Sequence, residues 1–353
     1  MSVKSFTSRA LQTLLTVGIV ACIAAGPALA APRSDAGVVS STVPQQQALA
    51  AGEYWTPERM RRAKPLTSTL PGSPRASGPS AEATSSGAAV KIDPVPATEA
   101  TAEAPEATRA RETPTPLAAT AVPRPYTDLP DRLNGKVFFT SAAGGNFVCS
   151  ATVVNSENKS IVWTAGHCVH DGSGGQFVRN WIFVPAYSSS FNGQEPFGRW
   201  TAKELWTTTE WANNGNFRQD LGAVVLNRLN NQLIVDRIGG QGIAFNLARN
   251  QNFSSFGYPA ASPFNGFDQF RCNSPRLADD FPAGVGPATI KIDCNMTGGS
   301  SGGGWLINIA SNGLGYVNGL NSYRYSTTPN NLFGPYFGNE ALSLYNAVRN
   351  RLA

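Results

Sequence analysis

The sequence predicts an all-β fold of the barrel or sandwich kind, finished by one C-terminal helix. Three observations carry this. From Leu133 onward the chain breaks into short segments rich in β-branched and aromatic residues, separated by Gly, Asn and Ser. These segments recur at close spacing with turn signals between them, the texture of barrels and sandwiches. Only the last stretch changes period, since Leu342, Tyr345, Val348 and Leu352 fall at helical spacing after Asn339-Glu340.

The first thirty residues read as a signal peptide. Lys4 and Arg9 precede an apolar run at 14–25, and Ala28-Leu29-Ala30 supplies the small residues of a cleavage site. The run is shorter than the ~20 residues a bilayer-spanning helix needs. No later stretch is apolar enough to span, so the expectation is a secreted, extracellular protein with no membrane partner.

Residues 31–124 are rich in Ala, Pro, Ser and Thr and poor in aromatics. Such a composition buries too little apolar surface to offset ordering, so a largely disordered pro-segment is expected. One island stands out, Tyr54-Trp55-Thr56-Pro57-Glu58-Arg59-Met60-Arg61-Arg62. Thr56 as N-cap, Pro57 at the first helical position and Glu58 in the first turn predict a short helix near 56–64, which Pro65 stops. Its sharper reading is an element that docks on the folded domain before maturation; its plainer one is an incidental helix.

Residues 125–353 form the folded domain, with strands expected at 136–140, 147–154, 161–163, 181–184, 221–226, 253–258, 289–292, 305–307 and 315–320. This part carries sixteen Lys and Arg against fourteen Asp and Glu, without aromatic interleaving. That gives no case for nucleic acid. Of five cysteines, Cys22 leaves with the signal, and Cys149, Cys168, Cys272 and Cys294 remain. An even number in an exported chain suggests two disulfides among three possible pairings, and the local pairing is expected. A zinc site is the rival, but the spacings match no usual pattern and histidines are scarce. No metal or cofactor is expected.

Two stretches carry chemistry. Thr297-Gly298-Gly299-Ser300-Ser301-Gly302-Gly303-Gly304 sets a serine pair among glycines between strand-like segments. Such a run serves a tight turn that offers backbone N–H groups beside a nucleophile. Thr164-Ala165-Gly166-His167-Cys168 follows a strand, and the chain has two histidines, His167 and His170. A serine needs an adjacent base, and the base works best when a carboxylate fixes its tautomer. Asp220 opens the apolar strand Leu221-Gly222-Ala223-Val224-Val225-Leu226 and is the best-placed carboxylate, with Asp236 next. Gly299-Ser300-Ser301-Gly302-Gly303 also satisfies the α/β-hydrolase elbow, but that fold needs a histidine after the serine, and none follows Ser301. A subtilisin-like order fails for lack of strand–helix alternation.

The order His167, Asp220, Ser301, with these motifs, resembles the chymotrypsin-like serine endopeptidases. Within them it is most similar to the secreted bacterial branch that includes the glutamyl endopeptidases. The resemblance covers about 134–350 and implies two packed six-stranded Greek-key barrels with the active site between them. It implies Ser301 as nucleophile, an oxyanion hole from the N–H groups of Gly299 and Ser301, and a disulfide Cys149–Cys168 beside the histidine. Ser322 is placed to support Asp220 by a hydrogen bond. Partners are then protein or peptide substrates and the chain's own pro-segment, acting on a monomer.

The chain also departs from that family. Asn295 stands where trypsin-like members carry an aspartate, which argues against cleavage after Lys or Arg. Asn321 and Met296 stand where glutamyl endopeptidases favour His and Thr or Ser, so the pocket reads as neutral, bordered by Asn295, Met296 and Asn321. Ser300 replaces the aspartate that captures a new N-terminus, which points instead to removal of a masking segment. The alternative function is a catalytically silent binding or adhesion module on the same fold.

Overall fold

The computed structural model describes residues 1–2, 33–35, 37–77, 87–98, 118–188 and 195–353. The apolar run at 14–25 and its cleavage site lie outside the described residues. No helix among the described residues is long and apolar enough to cross a membrane.

Six antiparallel strands close the first barrel: Asn134–Thr140, Asn146–Val154, Ile161–Thr164, Arg179–Pro185, Trp200–Thr208 and Gly222–Leu226. Closure comes from Trp200–Thr208, which pairs with Arg179–Pro185 at one end and with Gly222–Leu226 along the other. This strand is not among those expected from the sequence, and it carries Lys203 and Glu204. Glu204 is in fact buried, holding Arg351 at 2.8 and 2.9 Å and the Trp206 indole N–H at 2.9 Å. A carboxylate with that many donors tolerates burial.

The second half forms two sheets around one core. One contains Gly242–Phe245, Asn252–Gly257, Phe270–Pro275, Gly304–Ile307 and Tyr316–Leu320; the other contains Ala278–Asp280, Thr289–Asp293 and Asn331–Gly334. Phe253, Ile290, Ile292, Trp305, Ile307 and Leu332 fill the space between them. The C-terminal helix, Asn339–Val348, buries Ala341, Leu344, Tyr345 and Val348. It stops there, so Leu352 is exposed and does not continue the apolar face as its spacing suggested.

Cys149–Cys168 and Cys272–Cys294 are both bonded, at separations of 19 and 22 residues. Loops of this size are worth ~3 kcal/mol each in the chain-entropy model. Peptide mapping without reductant should recover both pairs and no free thiol. Reduction should lower the unfolding midpoint, and an unchanged midpoint would place the stability elsewhere.

The described parts of 37–98 and 118–124 lie on the domain as borrowed strands and helices. Val38–Thr42 pairs with Trp200–Thr208, and Val90–Ile92 and Thr120–Ala121 pair at the two edges of the larger sheet of the second half. The helix expected near 56–64 is Pro57–Arg62, with Thr56 Oγ1 accepting from Arg59 N at 3.2 Å. A preceding helix, Gln45–Tyr54, was not read from the sequence. Trp55 follows it and is fully buried against Phe138, its indole N–H donating to Asn180 O at 2.6 Å. Arg199 holds the carbonyls of Gly52 and Trp55 at 2.8 and 2.7 Å.

Lys136 lies beneath this contact. It is buried, donates to Gly266 O at 2.6 Å and faces the rings of Phe138 and Tyr187. Burial pushes its ammonium down to about 7, against ~10.4 for an unfolded lysine. Between those two values the unfolded chain holds a proton that the folded chain has lost, so stability rises with pH in that window and is flat below it. Unfolding midpoints measured from pH 7 to 10 should therefore climb for wild type relative to Lys136→Met. Parallel curves would show that Lys136 keeps its proton.

Candidate active site

Strand Ile161–Thr164 runs into a short 3₁₀ turn, Gly166–Cys168, which puts His167 at the barrel rim. Across the rim, Asn216 Oδ1 accepts from Arg218 N at 3.0 Å and starts the turn Phe217–Gln219, which ends at Asp220. Asp220 is fully buried and uses both oxygens on the histidine: Oδ1 accepts from His167 N at 2.8 Å, and Oδ2 lies 2.7 Å from Nδ1. Ser322 Oγ donates to the same Oδ2 at 2.6 Å, the expected supporting bond. Three donors converging on one carboxylate fix its position and hold the ring in one orientation. Trp211 packs on the ring, with centroids 5.9 Å apart.

His167 Nε2 is buried and has no hydrogen-bond partner among the described residues. A ring whose Nδ1 faces a carboxylate keeps its proton there and leaves Nε2 as an acceptor. His170 is differently occupied. Its Nδ1 accepts from Gly172 N at 3.0 Å, its ring packs edge-on against Phe177, and burial pushes its pKa down.

The serine turn follows from its glycines. Gly299 and Gly302 have φ of 96° and 82°, in the left-handed region. A Cβ on Gly302 would fall 2.0 Å from Thr164 Oγ1, and one on Gly299 would fall 2.8 Å from Tyr258 O. The turn thus presses directly against the strand end that delivers His167. Ser301 is 6% exposed, and its carbonyl accepts from Ser150 N at 2.7 Å. Ser300 Oγ instead donates to Thr297 O within the turn at 2.8 Å.

The three residues expected to border the substrate pocket are placed differently from one another. Asn321 supports the turn: its amide donates to Phe256 O and Ser300 O, and its oxygen accepts from Ser255 Oγ and Trp305 Nε1. All four hydrogen-bonding positions are spent, and the residue is buried. Met296 is fully buried in the second core, and Asn295 Oδ1 accepts from Ala119 N at 2.8 Å. Sequence reasoning missed Arg324, whose Nη1 donates to Met296 O at 3.4 Å. It is half-buried, it has no ion-pair partner among the described residues, and burial lowers its pKa. Its guanidinium thus lies beside the backbone of one of the three residues expected to border the pocket.

No family profile matches the chain, and no curated relative matches it. Solved structures do. The chain is 44% identical to the thermostable serine protease AL20 from an extremophilic microorganism, covering 62% of this chain and 97% of that one at TM-score 0.56. It is also 44% identical to protease Anisep from Arthrobacter nicotinovorans, covering 64% and 98% at TM-score 0.56. A Glu endopeptidase in complex with MPD is 15% identical, covers 66% and 97% at TM-score 0.50, and shares the fold. Identity of that order over almost the whole length of two serine proteases, on paired β-barrels, places the chain in the chymotrypsin-like serine protease family.

Proposed function

We propose that this protease is a secreted endopeptidase that cleaves peptide bonds with His167, Asp220 and Ser301. The observation that carries the reading is the clamp of Asp220 on both His167 N and Nδ1, with the buried Nε2 left without a hydrogen-bond partner among the described residues. His167 Nε2 takes the Ser301 hydroxyl proton as Oγ attacks the scissile carbonyl, and Asp220 stabilises the imidazolium that forms. The N–H groups of Gly299 and Ser301 receive the oxyanion. His167 then passes its proton to the departing amine, leaving an acyl group on Ser301. Water, deprotonated by the same Nε2, releases the acid product and restores the serine.

In this reading residues 1–30 direct export and the segment up to about 124 is a pro-segment removed on maturation. A fluorophosphonate reagent tests it. Processed protein should carry the label on Ser301, located by peptide mass. Absence of label on any serine would leave the silent binding module as the better description.

A further inference from the structure

The N-terminal segment runs along the proposed catalytic cleft. Lys64–Pro65 pairs in parallel with Phe147 and Val148, and Leu66 N donates to Val148 O at 3.3 Å. The Leu66 carbonyl then accepts from Gly299 N at 3.2 Å, which is one of the two oxyanion donors in the reading above. Thr67 crosses Gly298 so closely that a Cβ there would fall 2.4 Å from its Oγ1. Beyond it, Arg324 N donates to Ser68 O at 3.0 Å and Ser326 N to Leu70 O at 3.2 Å, again in parallel pairing. Ser301 and His167 beneath are 6% and 5% exposed.

We propose that residues 64–70 are an inhibitory strap, bound in the cleft as a strand whose polarity does not permit cleavage. This rests on the protease reading and assigns its regulation. A carbonyl in the oxyanion hole is cut only if its amide nitrogen lies where His167 Nε2 can deliver a proton. Chain polarity decides on which side of the carbonyl that nitrogen falls. The strap puts the Thr67 nitrogen on the side of Ser68 and Arg324. A peptide laid antiparallel to Arg324–Tyr325 puts it on the side of Val148. Only one of the two arrangements can suit a single base, and recovery of an intact 60–74 peptide is the sign that the strap holds the other. Trp55, buried nine residues before Lys64 and clamped through Arg199, anchors the strap at its entry. The Ser73–Thr327 and Thr327–Gly72 hydrogen bonds at 3.1 and 2.6 Å hold its exit.

The test compares the full exported chain with the same protein after limited proteolysis has removed its N-terminal segment, by the rate of fluorophosphonate labelling at Ser301. The full chain should label at least tenfold more slowly. Leu66→Pro, which deletes the donor to Val148, and Trp55→Ala, which deletes the anchor, should each recover most of that rate. After removal of the segment, wild type and both variants should label alike. A synthetic peptide covering 60–74 should slow the processed enzyme and be recovered intact, which keeps the test decisive where a variant fails to fold. Equal labelling of full and processed chains would overturn the strap while leaving the protease reading standing. Scission of the peptide between Leu66 and Thr67 would make the segment a substrate and equally overturn it. Failure of the processed protein to label at Ser301 would sink both.

Discussion

Ser301→Ala leaves the chain folded and abolishes peptide hydrolysis by the processed enzyme. Only the hydroxyl group is lost, and the contacts that shape the turn are made by backbone and by neighbours: Ser150 N to Ser301 O, Gly302 N to Asn321 O, and the Asn321 amide to Ser300 O. Unfolding midpoint and disulfide content should therefore match wild type. Rate should fall by ~10⁶, down to the 10³–10⁴ over water that binding and an oxyanion hole supply alone. Ser300→Ala is the matched control. It removes only the bond to Thr297 O and should keep turnover within about tenfold of wild type. Full activity in Ser301→Ala with loss in Ser300→Ala would move the nucleophile by one residue.

Asp220→Asn is the second large effect. Its three partners are all donors: His167 N, His167 Nδ1 as the ring is oriented here, and Ser322 Oγ. A carboxamide must turn its NH₂ toward one of them. If it faces the ring, Nδ1 becomes the acceptor and the proton moves to Nε2, which can no longer accept one from Ser301. The expected loss in kcat at neutral pH is about 10⁴-fold, with KM changed little because no substrate contact is lost. Ser322→Ala tests the support separately and should lower kcat by a smaller factor. Wild-type turnover in Asp220→Asn would exclude Asp220 as the acid. Asp236, the next candidate by sequence, could not replace it, since it pairs with Lys159 at 2.7 Å on another face.

What the sequence alone determined is what local chemistry encodes. Short β-branched and aromatic segments between turn signals marked nine strands of the domain, and all nine are present within a residue or two at their ends. The Thr56-Pro57-Glu58 start marked the short helix, and glycine placement marked the serine turn, because positive φ and close backbone approach admit little else. The order of His167, Asp220 and Ser301 excluded the α/β-hydrolase arrangement without any coordinates. What only the tertiary structure decided concerns groups whose meaning lies in a distant partner. Glu204 reads as surface until Arg351, 147 residues on, neutralises it. Asn321 reads as a pocket residue, but its four side-chain hydrogen bonds go to Ser300 in the turn and to Ser255, Phe256 and Trp305 on the strands beside it. Lys64-Pro65-Leu66-Thr67-Ser68-Thr69-Leu70 has no periodicity of its own, and its two-residue strands exist only on edges lent by Phe147–Val148 and Arg324–Tyr325. Strand pairing satisfies backbone groups irrespective of side chain, so composition identifies neither the partner edge nor the direction in which the segment crosses the cleft.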